Sequence, residues 1–444
     1  MNNKEASPDK LTTIPRSEHA ISRKSISEAA LKVLYRLSKS GFRACLVGGG
    51  VRDLLLDLKP KDFDIATDAT PEEVRALFKN SRIIGRRFRL VHIRFGREII
   101  EVATFRGHDE DSAKTELDLE GRILRDNTFG AIEEDAIRRD FTANALYYDI
   151  DDYSVLDYAN GMADIGARQL RLIGDPETRY QEDPVRMLRA VRFAAKLDFS
   201  IEEKAAEAIR QCGHLLAVIP PARMFDEVIK MFHSGRAVRV FTLLREYNLL
   251  KYLVPELDEW IQQEPSEVML DFIDQALINT DTRVNSEQPV SPAFIFAVLL
   301  WPVVFQQAQR MQSEKMKMVP ALMQCGETVM KRQVRHISIP RRFSQMSRDM
   351  WTMQPKFQRT QGGHPQRMLA HPVFRAAYDF MCMVDRISKD QPGSCRQAGQ
   401  RSTETAASQC QLSRSSSAWV AISAIPSPSS KNHCYGWTRS SRPG

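Results

Sequence analysis

The chain has 444 residues, 43% hydrophobic and 27% charged, which is long enough and apolar enough for two or three domains whose cores need no disulfide staples. Its formal net charge of +7 permits a polyanionic partner without requiring one, and its seven cysteines show no C-x-x-C or zinc spacing, so neither a structural metal nor a disulfide framework is implied. The polar stretch Met1–Ser25 lacks the apolar segment of a secretion signal, and the longest apolar run, 293–305, is short for a bilayer and contains Pro302; the expectation is a soluble, cytoplasmic protein with no membrane insertion.

Residues 1–22 read as a disordered arm. Ile26, Ala30, Val33, Leu34 and Leu37 then recur at helical spacing, and Gly41 stops that helix before a strand at 43–47. Next comes Leu-Val-Gly-Gly-Gly-Val-Arg-Asp (46–53), a glycine turn opening a helix, followed by Lys-Asp-Phe-Asp-Ile (61–65). Thr70 with Pro71, Glu72 and Glu73 has the form of an N-cap, a proline at N1 and acids in the first helical turn. Ile83–Ile84, Leu90–Phe95 and Ile99–Phe105 read as strands, giving an α+β head over 23–166 in which the acidic, aperiodic stretch 107–122 is a mobile loop. Beyond Gly166 the pattern is helical, as in Phe225, Val228, Ile229, Phe232, Val240, Leu243 and Leu244, so 167–255 and 256–387 are expected as an all-α neck and body. From 388 to 444 the composition turns to Ser, Gln, Thr, Gly and Pro without period, and no structure is expected there.

The chemistry starts at Asp62 and Asp64. In an extended segment, side chains two residues apart share a face roughly 6 to 7 Å apart, so these carboxylates suit a divalent cation between them. Backbone N–H groups of the glycine turn and the positive end of its helix suit phosphates. Transfer of a nucleoside monophosphate needs both, because metal ions held by carboxylates activate the attacking hydroxyl and offset charge on the leaving pyrophosphate. Glu101 is a candidate third ligand, set against the reading of an edge-strand charge. Arg138, Arg139 and Asp140 before the apolar stretch 141–148 fit either a charged helix start or an acid at a sugar hydroxyl and an arginine at a phosphate. Asp183 before Pro184 has the form of an N-cap, and Arg186, Arg189 and Arg192 drift round one side of the following helix, as a solvated face or as a surface for nucleotide or RNA.

Four segments carry a resemblance. Leu46–Asp64 resembles the active-site signature of the class II nucleotidyltransferases, which comprise bacterial poly(A) polymerases and CCA-adding tRNA nucleotidyltransferases. Arg138–Leu146 resembles their second motif, Asp157–Asp164 with Gly161 their head-to-neck segment, and Glu182, Asp183 and Arg186 their E-D-x-x-R base-selection motif. The resemblance runs from about Pro15 to Asp385, and Gly85–Ile93 with His371–Asp379 is similar to the poly(A) polymerase branch. It implies a polymerase-beta-like nucleotidyltransferase head followed by an all-α neck, which selects the base and binds RNA, and a helical body. The implied activity is template-independent addition of AMP from ATP to RNA 3' ends, serving RNA processing and decay. The implied site has Mg²⁺ on Asp62 and Asp64, Asp140 as a further active-site acid, and Gly48, Gly49 and Arg52 facing the triphosphate. Arg139, Asn144 and Arg189 complete the implied nucleotide pocket, and Asp183 with Arg186 reads the adenine edge as a protein template.

Two other readings stand beside this one: a CCA-adding enzyme with the same head, and a non-catalytic RNA-binding protein that retains the fold. Asp62, Asp64 and Asp140, all present, weigh against the second. The tail departs from the branch, whose members continue into a segment dense in Lys and Arg; its Ser-rich onset at 388 points either to a frameshift or to a divergent tail. Without a basic tail, RNA affinity should fall and its salt dependence flatten, because fewer phosphates are neutralised.

Overall fold

The computed structural model describes residues 11–85, 89–107, 115–117, 123–126, 129–263, 265–358 and 364–390. The strands of its head are β1 (Thr12–Ile14), β2 (Ala44–Val47), β3 (Asp64–Thr67), β4 (Ser81–Ile84), β5 (Leu90–Phe95), β6 (Glu98–Thr104), β7 (Thr115–Leu117), β8 (Ile123–Asp126), β9 (Leu146–Asp149) and β10 (Val155–Asp157). All but β7 and β8, which pair with each other, form an eight-stranded sheet in the order β1-β10-β9-β2-β3-β6-β5-β4, parallel only between β3 and β6. Around it lie α1 (Glu28–Lys39), α2 (Gly49–Leu55), α3 (Pro71–Leu77), α4 (Ile132–Arg138) and α5 (Gly161–Gly166).

Strand periodicity buries both faces of the sheet. Leu46, Ile65 and Val102 join the core that includes Ala30, Val33, Leu34 and Leu37 of α1, whereas Cys45, Val47, Ala66 and Tyr147 meet Ile132 and Ala136 of α4 on the other side. The Ser27 hydroxyl starts α1 by accepting from the Ala30 N–H, and Thr70 and Glu73 close a capping box on α3.

The neck and body comprise α6 (Pro176–Glu182), α7 (Val185–Leu197), α8 (Glu203–Cys212), α9 (Pro221–Phe232), α10 (Ala237–Glu246), α11 (Leu250–Leu253), α12 (Pro255–Gln262), α13 (Glu267–Asn285), α14 (Pro292–Ser313), α15 (Met318–Gln333), α16 (Arg341–Met353), α17 (His364–Leu369) and α18 (Phe374–Asp390). One hydrophobic core continues from Ile14 in the head to Met383 in α18, across both expected domain divisions. The 22-residue helix α14 is long and apolar enough to cross a membrane, longer than its apolar run implied, yet it is a core helix with Ile295 through Val304 all buried. Helix α16 is pinned to it, the Ser347 hydroxyl donating to the Ala293 carbonyl at 2.8 Å and the Trp351 indole to the Ala297 carbonyl at 3.0 Å.

Several expectations are corrected. Residues 11–22 of the expected disordered arm are ordered: β1 satisfies the open edge of β10, and Ile14 and Ile21 are buried. Within the expected loop at 107–122, Thr115–Leu117 is a strand because β8 pairs with it; residues 108–114 and 118–122 lie outside the described residues. The stretch Phe141–Tyr148 continues no helix: α4 ends at Arg138, a single 3-10 turn follows at Thr142–Asn144, and β9 takes the rest. Helix α18 runs on to Asp390, past the expected onset of the tail. Residues 391–444 lie outside the described residues, as do 1–10 and, within the Gly85–Ile93 segment, 86–88.

Candidate active site

Strand β2 delivers the chain to Gly48, whose φ of 73° and ψ of −136° belong to glycine, and α2 begins immediately after. The turn has neighbours on three sides at ordinary contact distance: a Cβ on Gly48 would sit 3.6 Å from Arg139 Nη1, one on Gly49 3.4 Å from Arg52 Nη2, and one on Gly50 3.5 Å from the Asp62 carbonyl oxygen. Register places the acids beside it. Val47 pairs with Asp64 on β3, Asp64 with Glu101 on β6, and Val47 with Tyr147 on β9, so Tyr147, Val47, Asp64 and Glu101 form one row on one face.

Asp62 precedes β3 instead of lying in it, but exposed Asp62, buried Phe63 and half-buried Asp64 keep the alternation that puts both acids on one side. Burial, the Glu101 charge and the Asp62 charge together push the Asp64 carboxyl up to about 6, against the opposing pull of Arg139. Glu101 is half exposed, with its Oε1 3.1 Å from His92 Nε2. Among the described residues no three His, Cys, Asp or Glu side chains converge as a ready metal cage. The donor set nevertheless fits a hard divalent cation, because a carboxylate resisting ionisation beside two further acids is the environment that such a cation relieves.

Asp140 is committed to the protein. Arg189 donates to its Oδ2 through Nε at 2.9 Å and through Nη2, Asn144 Nδ2 donates to Oδ1 at 3.1 Å, and the Phe141 N–H donates to Oδ1 at 2.9 Å. Burial opposes its charge, but Arg189 and these hydrogen bonds hold the carboxyl down at about 2. Asn144 Oδ1 in turn accepts from Arg52 Nη1, and Arg52 is tied to Asp53 through Nε and Nη2. Arg52, expected to face the triphosphate, has a side chain only 2% exposed and braces the turn from beneath. Arg189, expected at the nucleotide, reaches the site through Asp140, and its guanidinium lies 5.4 Å from the Phe193 ring centroid. The solvated-face reading of this helix side therefore fails, because Asp140 takes Arg189 and Arg192 also stacks on Phe193 at 4.7 Å.

In the neck, Asp183 acts partly as the N-cap the sequence suggested, its Oδ1 accepting from the Val185 N–H at 3.3 Å; its Oδ2 takes Arg223 Nη2 at 2.7 Å. Arg186 turns instead to Glu182 Oε2 and the Arg179 carbonyl, at 2.8 and 2.7 Å. Asp183 and Arg186, the residues expected to read the base, thus share one helix start, the Arg186 N–H donating to the Asp183 carbonyl at 3.0 Å while their side chains turn to different partners. Arg179 joins neck to head by donating to the Arg138 and Arg139 carbonyls at 2.9 and 2.7 Å. Arg179, Arg223, Asp53, Asp135 and Tyr147 were not singled out from sequence; Asp53 closes the 46–53 glycine motif and Asp135 lies in the acidic run 133–135 that reads as a helix start, and those are the signals sequence offers for them.

Three family models match the chain: Poly A polymerase head domain over 44–171, Probable RNA and SrmB- binding site of polymerase A over 198–261, and Polymerase A arginine-rich C-terminus over 314–414. The chain is 49% identical over 385 residues to Poly(A) polymerase I of Escherichia coli O6:H1, covering 86% of this chain and 83% of that protein. The CCA-adding enzyme of Lactobacillus helveticus is 42% identical over 217 residues, covering 48% of this chain and 52% of that enzyme. Among solved structures, the Bacillus stearothermophilus CCA-adding enzyme in complex with CTP is similar, with a TM-score of 0.57, 25% identity and 83% of each chain covered. Likeness to the CCA-adding relative spans about half the chain, whereas likeness to the poly(A) polymerase runs through head, neck and body: the chain belongs to the poly(A) polymerase family.

Proposed function

We propose that this chain adds AMP from ATP to RNA 3' ends without a template, releasing pyrophosphate, in the cytoplasm where both substrates occur. What supports this reading most is the row of Asp64 and Glu101 set beside the Gly48 turn, within a chain 49% identical to a poly(A) polymerase over most of its length. Asp62 and Asp64 would hold Mg²⁺, with Glu101 as the candidate third ligand. A cation held by these acids would supply Lewis acidity, which would lower the pKa of the attacking hydroxyl and offset charge on the phosphoryl oxygens.

The chain's own groups supply the rest. Arg139 presents Nη1 at the glycine turn, where a triphosphate meets backbone N–H groups. Arg52 and Asp53 brace that turn, so its N–H groups need no rearrangement when phosphate arrives. Asp140 orients Asn144 and Arg189 at the head-to-neck junction. In the neck, the Asp183 carboxylate accepts from an exocyclic amine while Arg186 donates to a ring nitrogen, a pattern that admits adenine and rejects guanine and uracil.

Asp62→Ala or Asp64→Ala is expected to abolish AMP incorporation while leaving RNA binding nearly unchanged. Either variant retaining full incorporation with Mg²⁺ would remove these acids from the mechanism.

A further inference from the structure

We propose that Asp135 and Tyr147 form a buried positioning pair that aims Arg139 at the triphosphate; the proposal rests on the reading above that Arg139 meets the nucleotide. The donors of Arg139 divide by direction. Nε donates to the Tyr147 hydroxyl at 2.8 Å and to Asp135 Oδ2 at 3.1 Å, and Nη2 donates to the same Oδ2 at 2.8 Å, while Nη1 is left toward Gly48. The Tyr147 hydroxyl donates in turn to Asp135 Oδ2 at 2.6 Å, so acid, phenol and guanidinium close a ring of hydrogen bonds.

Each member is held elsewhere in the fold. Asp135 lies in α4 one helical turn before Arg139, is 2% exposed, and also receives the Arg106 N–H at 3.3 Å. Tyr147 is fully buried, edge-on to Phe105 and Tyr158, and carries the Arg139 guanidinium over its ring at 5.1 Å. It sits on β9 in the row of Val47 and Asp64, so the ring of bonds is fixed to the strand paired with the one that ends at the glycine turn. An arginine has several rotatable bonds and loses affinity for phosphate when they are free. Here two of its nitrogens are bound from behind before nucleotide arrives, which leaves one forward-facing nitrogen in a defined place.

The test measures binding and turnover in the full chain. Tyr147→Phe keeps the buried ring and removes only the hydroxyl. It is expected to weaken ATP and pyrophosphate binding by about three- to tenfold each, with adenosine binding unchanged and kcat within about twofold. In an Arg139→Ala background the same change should cost nothing further, because the residue it positions is gone. Asp135→Asn should act in the same direction and more strongly. An equal loss for adenosine, the same loss in the Arg139→Ala background, or unchanged ATP binding would each overturn the proposal. Wild-type protein that makes no adenylate tracts would contradict the polymerase reading alone, since the binding measurements judge the pair without turnover.

Discussion

Asp64 gives the sharpest pH-dependent prediction. Burial and two neighbouring acids raise its carboxyl to about 6, so the metal-free protein holds it half protonated near that pH. A cation binds only the ionised form. Apparent Mg²⁺ affinity should therefore be flat above about pH 7, halved at about pH 6 and about tenfold weaker at pH 5, with about half a proton released per ion bound at pH 6. An ordinary aspartate, titrating near 3.9, would leave affinity almost unchanged over that span. The same shift acts on stability with the opposite sign from the usual carboxylate. The raised folded-state value favours the protonated form, so the metal-free protein loses stability as pH rises from about 4 through about 6, by up to roughly 3 kcal/mol. Asp64→Asn should then raise the Tm of the metal-free protein at pH 7.5 while abolishing turnover. Calorimetry of Mg²⁺ binding without nucleotide, in buffers of different ionisation enthalpy, reads the proton directly. Affinity independent of pH between 5 and 7, or an Asp64→Asn protein no more stable than wild type, would refute the argument.

Two other perturbations follow from the same geometry. Asp140, held down at about 2 by Arg189 and its hydrogen bonds, should contribute roughly 2 to 3 kcal/mol above pH 4, lost as pH falls toward 2. Asp140→Asn should thus lower stability in denaturant titration at pH 7 by about that amount, with the gap to wild type closing in acid; a gap that stays constant down to pH 3 would contradict the charge argument. Gly48→Ala forces a Cβ into a conformation at φ 73° that L residues rarely adopt, costing roughly 1 to 3 kcal/mol. It should weaken ATP binding in a fluorescence titration, and unchanged affinity would mean that the turn does not carry the phosphates.

Much of the head was legible because short-range patterns carry it. The Thr70-Pro71-Glu72-Glu73 cap, the glycine stop at 41 and the strands at 90–95 and 98–104 lie where their residues indicate. The acids were readable as separate candidates, but only register, which sequence cannot give, sets Asp64 beside Glu101. What was not legible depends on contacts across long sequence separations. The expected roles of Arg52 and Arg189 came with no sign of their protein partners: Asp53 and Asn144 bond the Arg52 guanidinium, and Asp140, 49 residues before Arg189, accepts that of Arg189. Tyr147 reads as an ordinary strand aromatic; only the return of α4 over the sheet turns its hydroxyl toward Arg139. The strand at Thr12–Ile14 escaped notice because three residues are too few for a period, and the open edge of β10 defines it.

The central claim is that this chain polymerises adenylate. Purified protein given Mg²⁺, each of the four nucleoside triphosphates separately, and either a generic RNA or a tRNA lacking its terminal triplet tests it most directly. Long tracts from ATP alone on the generic RNA are the predicted result. A defined CCA end on the tRNA, requiring CTP as well as ATP and leaving the generic RNA untouched, would contradict it.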